Sequence, residues 1–399
     1  MSTANNKNGN GSNSVGCLKT TVEMFCGIGG FRLAADAIGL STVWANDIEP
    51  KACQVYRERF GSALNEGDIH DLHDDIPPHD VLSGGFPCQP FSSAGKKLGV
   101  RDPRGTLFQA IVQVIEKHRP KFFVLENVKR LLSMEQGGHF AAILSALANI
   151  GYRIEWRLLN AVHFGLAQNR QRVVIVGTRD FSYRKYSILT ASQDFNSLND
   201  VQLDYLHSQE SWLPIERHGK RFPTWGFAEN GRFIAIDVPT FSDAKSAVTL
   251  ADILQDDVPM QFDFTHTMKP RLAQNDEVCR FVDGVEILSN QAGGARMGYT
   301  VFGIRGVAPT LTAATSRHYE RYKIGPRFRR LTNVEYARLQ GFPDDHCSTV
   351  SVYDQYSLYG NAVPPPLAEW VFRRIQGEGS EIPVPTVSQL DFVLNEKAK

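Results

Sequence analysis

Long apolar runs are missing from this 399-residue chain: no stretch approaches the roughly 20 residues of a membrane span, and no charged n-region followed by an apolar stretch opens it. A protein that does not span a membrane is expected, with a cytoplasmic location. Cysteine is sparse. The six residues Cys17, Cys26, Cys53, Cys88, Cys279 and Cys347 lie far apart with no Cys-x-x-Cys pair, so neither a zinc site nor a disulfide framework is indicated. Any special cysteine must be judged by its neighbours. Net charge is absent as well: 43 Lys and Arg balance 43 Asp and Glu, which argues against a surface that is basic throughout.

What is present is enough apolar material, 42% of residues, to bury a sizeable core in two or three domain-sized units. The charges are unevenly placed. Residues 191–290 hold sixteen Asp and Glu against eight Lys and Arg, whereas residues 296–330 hold seven Arg and one Lys against Glu320 alone. That second stretch is either a phosphate-contacting surface or an ordinary solvated basic face. Residues 1–17, mostly Asn, Gly and Ser, cannot offset the entropy of ordering and are expected to be a disordered tail.

From Leu18 to about residue 180, short apolar runs alternate with segments of helical period. That alternation predicts a doubly wound α/β domain with a mostly parallel sheet. The expected strands are Thr20 to Phe25, Thr42 to Asn46, Asp80 to Ser83, Phe122 to Glu126, Ile154 to Leu159 and Val173 to Thr178. Apolar periodicity predicts helices over Phe31 to Ile38, Lys51 to Phe60, Leu107 to His118 and Gly138 to Ile150. The alternation fades near Phe181, so residues 181–326 are expected to form a second, smaller and irregular domain. Helical patterns at Leu331 to Leu339 and Pro366 to Ile375 suggest that 327–378 returns to the first domain, leaving 379–399 as a tail.

Three loops at the ends of expected strands carry chemistry. The first strand runs into Phe25-Cys26-Gly27-Ile28-Gly29-Gly30, where glycines permit a sharp turn and close backbone approach to a ligand. Twenty residues beyond Gly27, Asp47 ends the second strand, in position to take ribose hydroxyls. A structural turn, a nicotinamide cofactor or another adenosine-containing cofactor all remain open here, although Arg32 falls where the third glycine of Gly-x-Gly-x-x-Gly belongs. The strand Val81-Leu82 leads into Gly84-Gly85-Phe86-Pro87-Cys88-Gln89-Pro90-Phe91-Ser92. A cysteine on such a loop lies where open α/β sheets bind ligands, and it suits a nucleophile. Phe122-Phe123-Val124-Leu125 delivers Glu126-Asn127-Val128 to the same sheet edge, where Glu126 is either an acid beside Cys88 or a turn cap. In Gln168-Asn169-Arg170-Gln171-Arg172, alternation points Arg170 and Arg172 to one side.

This order of motifs resembles the DNA (cytosine-5) methyltransferases, in particular the bacterial restriction-modification type. The resemblance covers about residues 19 to 180 and 305 to 370. Beyond the loops above it includes Gly67-Asp68-Ile69, Arg104-Gly105-Thr106-Leu107, Arg330-Leu331-Thr332, Arg338-Leu339-Gln340-Gly341-Phe342-Pro343 and Gly360-Asn361-Ala362-Val363, with Ala362 where many members have Ser.

The resemblance implies a methyltransferase fold that binds S-adenosyl-L-methionine and needs no metal. Phe25, Gly27, Gly29, Gly30, Asp47, Ile48, Asp68, Ile69, Pro87, Leu107, Asn361 and Ala362 would form the cofactor site. It implies that Cys88 attacks carbon 6 of a cytosine and that Glu126, held protonated by apolar surroundings, stabilises the resulting enamine. Arg172 would contact the base carbonyl and Arg170 would position the loop. The target base must leave the duplex stack, at a cost of roughly a few kcal/mol. The family reads sequence with a variable region, here about Phe181 to Pro326, closed by a Thr-Leu element that Ala308-Pro309-Thr310-Leu311-Thr312 resembles. Gln89, Ser92, Gln168, Thr310, Arg317, Arg321 and Lys323 are the expected DNA contacts. Double-stranded DNA is the implied partner of a monomer in the bacterial cytoplasm, held at the nucleoid through DNA and paired in function with a restriction endonuclease without a stable complex. The transfer-RNA branch of the family usually carries Pro-Pro-Cys-Gln where this chain has Phe86-Pro87-Cys88-Gln89, which favours DNA. A non-catalytic relative of the fold would have lost Cys88, Glu126 or Arg172, and all three are present.

Overall fold

A computed structural model of the chain describes residues 18–61, 63–86, 107–179, 186–264, 276–290, 300–313 and 320–378. Both expected tails lie outside these residues. Seven strands, β1 (Thr20–Met24), β2 (Ser41–Asp47), β3 (Leu64–Glu66), β4 (Val81–Gly85), β5 (Phe122–Val128), β6 (Arg153–Asn160) and β7 (Gln171–Thr178), build the first part of a large sheet. All six strands expected in this region are there, shifted by at most two residues at either end.

The strand order β3-β2-β1-β4-β5 is parallel throughout, and the chain reverses direction across the sheet between β1 and β4. Beyond β5 the pairing becomes antiparallel, first to β7 and then to β6. Alternation along each strand sends side chains to two faces. Val22, Leu82, Phe123 and Leu125 pack under the helices Leu107–His118 and Gly138–Asn149, meeting Ile111, Val114 and Leu144. Val81, Phe122, Val124 and Val176 face the helices Gly30–Ala37 and Pro365–Arg373 through Phe31, Leu367 and Phe372. Helices on both faces make the sheet doubly wound. Truncating one of these core residues, Leu144 for instance, is expected to cost about 2–5 kcal/mol.

Residues 181–326 are not one irregular unit. The strands β8 (Leu213–Pro214), β9 (Trp225–Glu229) and β10 (Arg232–Ile236) extend the first sheet to ten strands in the order β3-β2-β1-β4-β5-β7-β6-β9-β10-β8. β9 is buried throughout and β10 beyond its first residue, so no period-two alternation marks these two strands. The second sheet has five strands: β11 (Asp276–Val282), β12 (Val285–Asn290), β13 (Thr300–Phe302), β14 (Arg321–Ile324) and β15 (Arg327–Arg329). Its first hairpin closes on Asp283-Gly284, flanked by the Val282–Val285 pair and with φ of 49° and 79° at the two turn residues. Asp-Gly with both φ positive is the expected chemistry of a tight hairpin.

Among the described residues, two ion pairs join the basic stretch to the acidic one. Arg305 pairs with Glu286 and Arg327 with Asp263, each time joining a cation from 296–330 to an acid from 191–290. Arg329 is buried against Glu335, 2.7 Å away. The helix Asn333–Gln340 that carries Glu335 starts with a reciprocal cap: Thr332 Oγ1 accepts from the Glu335 amide while Glu335 accepts from the Thr332 amide. From here the chain folds back, and the helix Pro365–Arg373 packs on Gly30–Ala37 with Phe31 and Phe372 ring centroids 5.7 Å apart.

Candidate active site and substrate cleft

The reversal of strand order between β1 and β4 leaves a crevice at the carboxyl ends of the strands. A cavity of about 550 Å³ occupies it. Its walls include Phe25, Gly27, Gly30, Asp47, Ile48, Asp68, Ile69, Leu107, Asn361 and Ala362, ten of the twelve residues expected to hold a cofactor. Pro87 lies outside the described residues. Gly29 is brought to the turn but not to the cavity wall. It caps the helix Gly30–Ala37 with φ 82°, and a Cβ there would fall 2.3 Å from the Phe60 ring. Its glycine is required by the turn and by Phe60.

Gly30 is required by a closer approach: a Cβ would sit 2.1 Å from the Val363 carbonyl oxygen. The first βα turn is thereby pressed against the 360–363 loop, and the two segments wall the cavity from opposite sides. Phe25 is held at φ 54°, a conformation uncommon for a residue with a side chain. Asp47 accepts from the amide of Gly27 at 2.7 Å through one oxygen and from Glu49 at 2.9 Å through the other. Burial pushes its carboxyl pKa up, opposed by these amides. Asp68 caps the short helix Ile69–Leu72 by accepting from the His70 amide. Ile48, 65% exposed, stands open at the rim. Glu23, which the motif reading passed over, also lines the cavity. Burial pushes its carboxyl up to about 8, with the Tyr56 hydroxyl donating to it at 3.1 Å. An acid between the apolar Val22 and Met24 of β1 was the available signal.

At the far end of this cavity, Arg172 Nε lies 2.7 Å from Glu126 Oε1, with both side chains at most a tenth exposed. The surroundings of Glu126 are therefore not apolar as expected, because a guanidinium touches it. Burial draws the Arg172 pKa down while Glu126 holds it up. Arg170, on the same side as alternation requires, donates from Nη1 to the Leu311 carbonyl and from Nη2 to those of Gly360 and Ala362. Burial, reinforced by the nearby Arg172 and opposed by Glu126, brings Arg170 down to about 9, so it stays charged at neutral pH. It fastens the strand end to two loops. Asn127 donates to the Phe86 carbonyl at 3.0 Å, fixing the end of β4 beside Glu126, whose partner in the ladder is Gly85. Cys88, Gln89 and Ser92 follow Phe86 in the chain and lie outside the described residues, as does Arg317.

The expected DNA contacts divide. Gln168 is fully buried: its amide donates to the Leu339 carbonyl and its oxygen accepts from the Leu311 amide. It is a strut between segments and has no surface to offer DNA. Thr310 is half-buried, with its hydroxyl on the Asn169 carbonyl. Lys323 is exposed, while Arg321 is half-buried with its guanidinium 5.8 Å from the Phe264 ring centroid. A second cavity of about 420 Å³ shares Val128, Arg172, Gly360 and Asn361 with the first and adds Lys129, Arg130, Thr310 and Thr312. Lys129 and Arg130 are exposed cations that the motif reading missed, although they follow directly on Glu126-Asn127-Val128. Among the described residues no cluster of three or more His, Cys, Asp or Glu is placed to hold a metal, and no helix is long and apolar enough to cross a membrane.

Fold and cleft together define an α/β domain with a cavity at the strand ends that opens onto a groove. The pattern of the C-5 cytosine-specific DNA methylases matches residues 19–377, and the chain belongs to that family. It is 45% identical over 161 residues to the Type II methyltransferase M.NgoBI of Neisseria gonorrhoeae, a match spanning 40% of this chain and 50% of that protein. The chain thus spans about half the length of that relative. It is 33% identical over 356 residues to the Type II methyltransferase M1.ScrFI of Lactococcus lactis subsp. cremoris, covering 86% of this chain and 75% of the relative. Among solved structures, S. pombe Dnmt2 methyltransferase superposes with a TM-score of 0.60 at 16% identity, covering 90% of this chain and 98% of that one. A putative DNA modification methyltransferase encoded within an E. coli prophage gives 0.55 at 19% identity, covering 90% and 98%. Both likenesses concern the fold.

Proposed function

We propose that this chain methylates carbon 5 of a cytosine within a short double-stranded DNA sequence, with S-adenosyl-L-methionine as methyl donor and Cys88 as the nucleophile that adds to carbon 6. The observation that carries this reading is the buried Glu126–Arg172 pair, set where the cofactor-sized cavity meets an open, cation-lined one.

The residues present fit the cofactor. Gly27 lines the cavity and a Cβ there would meet nothing within 4 Å, so a ligand can lie against bare backbone. Asp47 keeps free lone pairs for ribose hydroxyls, Asp68 and Ile48 border the space for a base, and the acids along the wall suit a cation. When bound, S-adenosyl-L-methionine supplies an electrophilic methyl group on its sulfonium.

The chain's own groups act on the cytosine. The Cys88 thiolate forms a bond to carbon 6 and the ring electrons move toward N3; Glu126 takes up a proton from water as the base is bound, passes it to N3 and is again the carboxylate that faces Arg172. Arg172 orients Glu126 and offers its remaining N–H groups to the base carbonyl. Carbon 5 becomes nucleophilic; after it is methylated, loss of its proton and breakage of the Cys88 bond restore the aromatic ring. Lys129 and Arg130, beside the extruded nucleotide, hold the phosphates that flank it. The cofactor residues, Cys88, Arg170, Thr310, Gln89, Ser92, Arg317, Arg321 and Lys323 enter this reading as assigned from the resemblance, without Gln168.

We further infer that the chain acts as a monomer and is the modification partner of a restriction endonuclease in a bacterial cytoplasm, acting on nucleoid DNA. The Type II methyltransferase relatives support this. The test is bisulfite sequencing of a plasmid from a methylation-free host expressing the chain, beside a Cys88→Ser control. Protection of cytosines in one short sequence by the intact chain alone is expected. No protection by a folded, cofactor-binding chain would overturn the reading and make RNA the next substrate.

A further inference from the structure

Past the cation-lined cavity the cleft continues into a third, of about 470 Å³, between Asn169 and Thr310 on one side and a face of the second sheet on the other. Alternation along β11 puts Arg280 and Val282 on that face, and the ladder sets Arg280 opposite Ile287. Phe281 takes the other face, where the Arg305 guanidinium lies 5.9 Å from its ring centroid. The floor of this cavity is thus apolar, and two charged residues line it: Arg280, and Asp283 at the tip of the hairpin.

Arg305, Arg327 and Arg329 each have a carboxylate, and Lys323 and Arg321 do not line this cavity. Arg280 is exposed, and among the described residues neither it nor Asp283 has a hydrogen-bond or ion-pair partner, nor do they pair with each other. A guanidinium alone in a groove suits a phosphate or a guanine edge. A carboxylate sharing the cavity repels a phosphate and decides between them.

Resting on the function proposed above, we infer that Arg280 and Asp283 read one G·C base pair next to the extruded cytosine. Arg280 donates to O6 and N7 of the guanine, and Asp283 accepts from N4 of the paired cytosine. These are the groups that a G·C pair presents in the major groove. The tight Asp283-Gly284 turn holds the acceptor at a fixed distance from the donor, which a paired reading of one base pair requires. Once a duplex covers the apolar floor formed with Val282 and Ile287, a wrong base leaves a polar group there without a partner, which raises its penalty.

The test uses the purified full-length chain, S-adenosyl-L-methionine and a duplex pool of randomised sequence, with bisulfite sequencing of the products. The intact chain is expected to give a site with a fixed G·C pair beside the target. Arg280→Ala and Asp283→Ala each relax that pair, lowering the preference for it by about ten- to hundredfold, while the other positions keep theirs. Arg280→Gln, which keeps an unbranched polar side chain but not the guanidinium fork, gives the same relaxation should the alanine variant not fold. Unchanged preference in these variants, or an equal loss on every sequence as a phosphate contact or structural role would give, overturns the inference. No methylation by the intact chain removes the proposed function itself, and this inference with it.

Discussion

Arg172 Nε and Glu126 Oε1 meet at 2.7 Å in a site almost closed to water, and each comes from the end of a neighbouring strand. The relationship joins catalysis to stability, because each group is the other's compensation for burial. Removing one leaves an uncompensated charge, which costs about 3–5 kcal/mol.

Glu126→Gln keeps the shape and loses the charge. Methyl transfer is expected to fall by roughly 10²–10³-fold while S-adenosyl-L-methionine still binds. Single-turnover rates beside calorimetric cofactor affinity make the check, and both Glu126→Gln and Glu126→Ala should unfold at lower denaturant, since each leaves the Arg172 charge uncompensated.

Gly30 and Gly61 separate close packing from backbone conformation. A Cβ at Gly30 meets the Val363 carbonyl oxygen at 2.1 Å, whereas at Gly61, with φ 76°, it meets nothing within 4 Å. Gly30→Ala is expected to cost about 1–3 kcal/mol and to weaken cofactor binding by moving the 360–363 loop. Gly61→Ala should cost about 1 kcal/mol of backbone strain and leave cofactor affinity unchanged. Denaturation and calorimetry on both variants decide it.

These two glycines also mark how far the sequence could be read. The positions of the strands and of the glycine turn were legible because buried parallel strands give short apolar runs and sharp turns need particular residues. Glu126, Arg170 and Arg172 were placed by strand ends and alternation. What escaped depends on partners distant in the chain. Gln168 reads as one more polar residue in a polar motif, and only the Leu339 and Leu311 backbone groups reveal it as a buried strut. Arg305, Arg327 and Arg329 look like part of a phosphate face until Glu286, Asp263 and Glu335 are seen beside them. The second sheet gave one local signal, Asp283-Gly284, in a region where short strands show no period.

Glu23 predicts a pH dependence. Its carboxyl is raised from 4.5 to about 8 by burial, so between those values the folded chain keeps a proton that the unfolded chain has released. Stability from this group is full below pH 4.5, falls as pH rises through the window, and levels off above about 8. The loss is on the order of 5 kcal/mol. Glu23→Gln should remove this slope, so that the variant gains stability relative to the parent chain at pH 8 and not at pH 4.5. Urea unfolding at a series of pH values measures it.

Arg170→Met should leave three carbonyls, those of Leu311, Gly360 and Ala362, without their donor in a buried site. Each unsatisfied group costs about 1–3 kcal/mol, so a loss of at least 3 kcal/mol is expected. Arg170→Lys recovers part of it. KM for both cofactor and DNA should rise in the lysine variant, because both loops border the cleft, and steady-state kinetics reads this directly.

The covalent step is the centre of the account, and a duplex carrying 5-fluorocytosine at the target position tests it most directly. Fluorine replaces the proton that must leave carbon 5, so the enzyme should stop as a methylated protein–DNA adduct. Intact-mass spectrometry is predicted to show the chain heavier by one DNA strand plus a methyl group, and no such species with Cys88→Ser. Methylation of the ordinary duplex without any adduct on the fluorinated one would contradict the account.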